Sequence, residues 1–445
     1  MYCSILRQCT ELESIEVTRR PNSWYPPGDR SFPLFQEFSA NEVFEKFYSV
    51  RHFHTNYGLS EKVFDSLLAS MPNLMFLRLR ESMISDKLGT LSSMFRSTHV
   101  FTKLDLHLSL PDETLLKLLR KYSSSLLELK VWPETESQSP ALSSMSVLGD
   151  CTQLHHLHLY NARYLEDNHL ETLIKNASDL LSLDLEFAER LTNRSLTQLH
   201  GLGRLQHIGL KGIRSVSRDV LRALRKVSNL QYLFLHGRYQ TFKGICELAW
   251  LTGLRTLDVV VRVDSNSFDM ICDNLKNLEV LRLGDCYLLT DADGTKLRKL
   301  KHLKTFKFRR GTRFTDLTFE EGLRSAAMES LDLHQCLLSD KGLINIGVHH
   351  DRLTRISLAV CEKITETGFS NFLRLKLPLQ ILQVDDCGWF SDESLKELET
   401  NCPRLRELYV QHDVLSKWAI NQFRERRPGV SVFYSHFWVT PWQSI

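Results

Sequence analysis

The chain has no run of about eighteen apolar residues, the length a helix needs to cross a bilayer, so no membrane-spanning helix is expected. Its first residues, MYCSILRQCTELESIEV, carry no basic segment followed by an apolar stretch, so no secretory signal is expected either. Charge of one sign is not in excess: 56 Lys and Arg stand against 53 Asp and Glu, a net +3 over 445 residues. That balance gives no global attraction to nucleic acid. There is no GxxxxGK followed by Ser or Thr, no GxSxG and no HExxH, which removes the common signatures of phosphate loops, serine hydrolases and zinc peptidases. Asp291, Asp293 and Gly294 imitate part of a calcium loop, but the terminal glutamate is missing. No CxxC pair occurs among the ten cysteines, so neither disulfides nor zinc are expected, and reduced intracellular thiols fit better. With no signal, the sequons at Asn176 and Asn193 are expected to stay unmodified. The expected location is the cytoplasm or the nucleus.

What is present is one phrase, repeated: leucine, two residues, leucine, one residue, leucine, then a break and a short helix-like run. It opens at Leu12, Val50, Leu74, Phe101, Leu126, Leu154, Leu180, Leu205, Leu230, Leu254, Leu278, Leu303, Met328, Leu353, Leu379 and Leu405. The spacing of roughly 25 residues lies in the range of leucine-rich repeats. A hydrophobic content of 42% and a charged content of 24% suit a globular protein. Two stretches interrupt the rhythm. The segment near 18–45, with Pro21, Trp24, Pro26, Pro27 and Gly28, reads as a loop, and Pro133 to Pro140 reads as a shorter one.

Within each unit, the alternation around the second leucine predicts a strand with leucines turned inward. The second half has helical spacing. Leu343 and Ile346 are three apart and follow Asp340, which is expected to cap the helix; Asp291 and Asp392 sit equivalently, and Thr365 substitutes. One strand and one helix cannot bury both faces alone, so neighbouring units must stack. The expected fold is an α/β solenoid of about sixteen repeats over 1–429, a horseshoe with a parallel sheet on the concave face and helices on the convex face. Residues 430–445 are expected to form a closing strand (Val430, Val432, Tyr434) and an aromatic tail. That tail, with Phe437, Trp438 and Trp442, would cap the core or fold over the concave face.

Cys286, Cys336, Cys361 and Cys387 each fall three residues after the last inward strand residue. One structural position is being reused, and a reduced cysteine there serves as a small buried apolar residue. The resulting pattern, LxxLxLxxCxxLTDxGLxxL, is clearest at Leu278–Leu297, Met328–Gly347, Leu353–Phe372 and Leu379–Leu398. It resembles the cysteine-containing repeats of F-box/LRR proteins. That resemblance implies a substrate receptor of a Skp–cullin–F-box ubiquitin ligase, with the repeats holding a protein substrate and an N-terminal F-box holding Skp. No helical module opening with Leu-Pro precedes the repeats here. Ile5, Leu6 and Cys9 already read as the end of a repeat helix. A fragment or N-terminally short form is therefore expected, with Skp and cullin as partners only if the full-length product carries an F-box.

On the strand model, the third, fifth and seventh residues of each unit face outward. Two patches result. One is aromatic and histidine-rich: Trp132, His156, His158 and Tyr160, with Tyr232, Phe234 and His236. Exposed aromatics on a rigid sheet are favoured anchors for protein partners. The other is basic: Arg282, Lys307, Arg309 and Arg310, with Arg355 further along. It could receive an acidic or phosphorylated peptide, or a polyanion such as an inositol phosphate. His156 and His158 share a face near Asp184 and Glu186, but zinc needs three or four ligands at fixed spacing, so no metal and no cofactor is expected. The expected function is protein recognition in ubiquitin-dependent degradation, without chemistry, nucleic acid or membrane. The alternative is a stand-alone repeat scaffold or inhibitor with no ligase association.

Overall fold

The computed structural model describes residues 12–17, 47–55, 61–80, 87–133, 143–213, 216–237, 244–411 and 414–435. The loop expected near 18–45, most of the one at 133–140 and the aromatic tail lie outside these residues. The chain divides into two units, Met1–Val216 and Ser217–Ile445.

The first unit carries eight strands: β1 (Ser14–Val17), β2 (His52–Thr55), β3 (Phe76–Arg80), β4 (Lys103–Leu110), β5 (Glu128–Pro133), β6 (His156–Leu159), β7 (Ser182–Glu186) and β8 (His207–Lys211). Each pairs in parallel with the next in chain order. The second unit carries nine: β9 (Tyr232–His236), β10 (Thr256–Arg262), β11 (Val280–Asp285), β12 (Thr305–Arg309), β13 (Ser330–His334), β14 (Arg355–Ala359), β15 (Ile381–Asp385), β16 (Glu407–Gln411) and β17 (Ser431–Ser435). These too pair in parallel and in chain order. Every strand up to β16 starts just after one of the sixteen apolar residues that open the phrase, and β17 follows Val430. This is the leucine-rich-repeat solenoid architecture expected.

Register is set by a backbone device repeated along each unit's ladder in most repeats. There, one carbonyl just before a strand accepts two successive N–H groups of the following repeat. Arg255 accepts from Glu279 and Val280, Glu279 from Lys304 and Thr305, and Lys304 from Glu329 and Ser330. In the first unit, Thr102 serves Leu127 and Glu128 in the same way. Because side chains alternate along a strand, this lock keeps every leucine on one face. The inward residues, such as Leu129, Val131, Leu281 and Leu283, are fully buried.

At the strand exits the chain must turn into the core. Phe187, Arg310, Gln335, Val360 and Asp386 all adopt φ of 50–58° there. This left-handed conformation is costly for residues with a Cβ, and most of all for β-branched Val360. The residue after it in the later repeats is Cys336, Cys361 or Cys387, each buried and unpaired. The Cys387 thiol lies 3.2 Å from the Leu358 carbonyl and 3.3 Å from that of Asp385, so it serves as a weak donor as well as a small apolar filler. Burial pushes this thiol up to about 12.

The expected capping role of Asp340, Asp291 and Asp392 is corrected by the structure. The N-cap positions are held by the preceding hydroxyl residues, Ser339, Thr290 and Ser391, although the Ser339 hydroxyl donates to Asp316 and caps nothing, and each aspartate is the first helical residue. Its carboxylate reaches instead to the next repeat. Asp340 accepts from the Thr365 backbone and hydroxyl, both at 2.7 Å. Asp291 accepts from Thr315 N at 2.8 Å, Thr315 Oγ1 at 2.6 Å and Thr318 Oγ1 at 2.5 Å. Asp167, Asp316 and Asp392 do the same for Thr192, Ser339 and Ser416. Thr365 caps its own helix, as expected, by accepting from Gly368 N. The glycine of the TDxGL phrase now has a reason. A Cβ on Gly368 would lie 2.0 Å from the Asp340 carboxylate, and one on Gly342 would lie 2.2 Å from that of Asp316. Where glycine is absent, Ser195 and Thr318 fill the position and donate to the same carboxylate.

Candidate protein-binding face

The strand register converts repeats about 25 residues apart into rows of outward side chains roughly 4.8 Å apart. In the first unit, Trp132, His158 and Tyr160 come together on and beside β5 and β6, as the alternation predicts, while His156 sits at the start of β6 opposite Glu128. The Trp132 and Tyr160 rings stack at 5.8 Å, and His158 stacks on Tyr160 at 4.0 Å. His107 on β4 completes the cluster, 4.8 Å from Tyr160 and 5.4 Å from Trp132. His107 occupies the seventh position of the Phe101 unit, so the outward rule reaches it when extended to that unit. Packing of rings on rings leaves Trp132 38% exposed while the others are half-buried. Burial pushes the Tyr160 hydroxyl up to about 12.

Beside the rings lies a charged border. His158 faces Glu186 at 3.5 Å, and Lys211 reaches the same carboxylate at 3.1 Å. Burial alone would raise Glu186, but His158 and Lys211 hold it below its ordinary range. His207 meets Asp184 at 2.8 Å across Gly209, where a Cβ would lie 1.8 Å from the carboxylate oxygen. Among the described residues no group of three or more His, Cys, Asp or Glu is placed to hold a metal ion.

Tyr232, Phe234 and His236 belong to the second unit, where they alternate outward along β9. Tyr232 is 36% exposed. His236 is tied to Asp258 at 2.9 Å.

The basic residues lie on the same outward face of the second unit, but not as freely exposed cations. Arg282, expected in solvent, is only 9% exposed, because its guanidinium lies 3.2 Å from the Asp258 carboxylate. Lys307 sits beside Arg282 in register and 3.9 Å from Asp332. Arg310 is exposed, pairs with Asp285 at 3.2 Å and stacks over Tyr287. Arg309 and Arg355 are half-buried. The acids Asp258 and Asp332 are the fifth residues of the Leu254 and Met328 units. The offset that located the cations also locates their counter-charges. Burial lowers the Lys307 ammonium and the Arg309 guanidinium and raises the Asp332 carboxyl.

No protein-family model and no curated protein matches the chain. Solved structures do. The chain is similar to a protein of the yeast Rad7–Elc1 complex, at 16% identity and TM-score 0.45, covering 87% of this chain and 81% of that one. A leucine-rich-repeat protein of Leptospira interrogans aligns at 15% identity and TM-score 0.36 over 96% of this chain and 91% of its own. An internalin of Listeria monocytogenes aligns at 12% identity and TM-score 0.41 over 73% of this chain and 94% of its own. Among the described residues no helix is long and apolar enough to cross a membrane. The repeated LxxLxL phrase, its one-strand unit and the parallel in-register ladder give this chain the leucine-rich-repeat solenoid fold.

Proposed function

We propose that the chain is a protein-recognition module, acting like the substrate-recognition subunit of a Skp–cullin–F-box ubiquitin ligase in ubiquitin-dependent degradation. It holds a target protein on the outward face of its sheet and performs no chemistry itself. The observation that carries the ligase part of this reading is the cysteine-containing repeat, four copies in register at Cys286, Cys336, Cys361 and Cys387. The binding part is supported by the outward rings, with Trp132 and Tyr232 both more than a third exposed on rigid strands. Large aromatics presented this way are the residues that most often dominate protein interfaces.

In this reading the anchors are Trp132, His158 and Tyr160 in the first unit and Tyr232, Phe234 and His236 in the second. Skp and cullin join only if the full-length product carries an F-box. The test is affinity purification of the full-length gene product from its own cells. Recovery of Skp and cullin supports the ligase role. Partners that include no ligase subunit would leave a repeat scaffold or inhibitor and rule that role out.

A further inference from the structure

We propose that the outward face of β11–β14 is an anion-binding subsite that receives an acidic side chain from an extended segment of the protein partner. The proposal rests on the partner-binding reading and adds the chemistry of what is bound.

Cations share this face with acids, and four of them come from three nearby strands, β11, β12 and β14. Arg282 and Lys307 are direct register neighbours on adjacent strands, and Arg309 lies two residues further along β12 on the same face. Arg355 enters from β14, opposite Ser330. The facing acids are Asp258, Asp285, Asp332 and Asp385. Asp258 divides itself between His236 and Arg282, and Asp285 serves Arg310. Asp385 accepts from Gln383. Asp332 stands 3.9 Å from Lys307 Nζ, beyond hydrogen-bond reach. The Lys307 ammonium is pushed down by burial; Asp332 opposes this, while the charges of Arg282 and Arg355 add to it. An incoming anion would relieve that repulsion.

Donors are also left unspent. Nε of Arg282 and Oγ of Ser330 are buried and have no hydrogen-bond partner, and neither has Nδ1 of His334, which donates in only one of its neutral tautomers. Arg282 and Ser330 are only 9% and 8% exposed, so these are not groups idling in bulk solvent. A buried polar group without a partner costs roughly 1–3 kcal/mol. Several on one face mark a surface arranged for an acceptor that arrives from outside. A peptide suits the geometry better than a free ion. The row that holds Arg282 and Lys307 runs from Phe234 on β9 to Tyr409 on β16, whose ring stacks on Phe433 at 4.8 Å. An extended segment lying across the strands would meet aromatic ends and, between Asp258 and Asp332, the Arg282–Lys307 pair.

The test is fluorescence anisotropy with the full chain and labelled hexaglutamate, with hexaglutamine as the neutral control. Hexaglutamate should bind more tightly, and salt should weaken it. Lys307→Gln with Arg309→Gln should weaken it about tenfold or more. Lys226→Gln with Arg298→Gln removes the same charge from exposed positions and should leave binding within about twofold. Equal loss in both double variants, or equal binding of the two peptides, overturns the proposal. Binding of pyrophosphate with no binding of hexaglutamate overturns it in favour of a small-anion site. Should the Lys307/Arg309 variant not fold, the wild-type chain still decides the matter. Hexaglutamate, and not hexaglutamine, should protect Lys307 from chemical acetylation, and equal modification refutes the subsite. A cellular partner captured equally by wild type and folded variant sinks the subsite while leaving the broader binding reading intact.

Discussion

Replacing Asp291 tests whether carboxylates joining consecutive repeats hold the solenoid together. Asp291→Ala leaves Thr315 N without its acceptor at a helix start, which costs about 0.5–2 kcal/mol by analogy with lost caps. It also orphans the hydroxyl of Thr318, which is fully buried, adding about 1–3 kcal/mol. Because these groups share one acceptor, the sum is not additive, and about 2–4 kcal/mol is expected. Asp291→Asn keeps one acceptor oxygen and should lose roughly half. Asp392, whose carboxylate reaches only Ser416 N in the same register, should cost about 0.5–2 kcal/mol when replaced by Ala.

Guanidinium unfolding followed by circular dichroism gives the global change. Hydrogen exchange over residues 312–320 gives the local one, since repeat arrays can open in parts. The hydrogen bonds from Thr315 and Thr318 outweigh burial and hold the Asp291 carboxyl below its ordinary value. The folded state therefore binds this proton less readily than the unfolded state. The stabilisation is present above the unfolded carboxylate pKa and is lost as pH falls through the folded one. Asp291→Ala should flatten stability against pH in that acid range. A cost below about 0.5 kcal/mol, or a cost for Asp392→Ala that matches or exceeds it, would refute the ladder argument.

A second prediction concerns Gly368: Ala there should destabilise by about 1–3 kcal/mol, because its methyl would displace the Asp340 carboxylate; an unchanged midpoint would show that the carboxylate moves freely. Val360→Gly should stabilise by up to about 1 kcal/mol, the left-handed cost of about 1–2 kcal/mol less the chain entropy of glycine, read as a shift in thermal midpoint, and a fall in that midpoint counts against it. His350, 2% exposed, has its pKa lowered to about 4 by burial. Its neutral form is held in the fold, so stability should fall as pH drops from about 6.5 toward 4, by up to about 3 kcal/mol; His350→Leu should remove that slope in pH-dependent denaturation. Trp132→Ala should weaken partner binding by about 2 kcal/mol with little change in stability, as its ring is 38% exposed; equal affinity would move the anchor elsewhere.

Much of the fold was legible because it depends on local alternation. The inward leucines and the cysteine position follow from period two in the strand and a fixed offset after it. The aromatic group at Trp132, His158 and Tyr160 was legible for the same reason, since register places equal offsets side by side. The basic group was legible in position but not in state. Arg282 was expected exposed, yet Asp258, one repeat earlier, draws it into the face. The aspartates of the TDxGL phrase lie at the helix start, as spacing predicts, but their carboxylates bind the next repeat and not their own helix.

The amino-acid sequence by itself determined the period, the strand-and-helix unit, the inward face and the column of buried thiols, because each follows from side-chain spacing within one repeat. Only the tertiary structure decided where the charges go. Asp340 ends on Thr365, Asp291 on Thr315 and Asp258 on both Arg282 and His236. Such pairs join residues about 25 positions apart through side chains with several rotamers. Spacing brings them within reach, but distance, burial and competing donors select which contact forms.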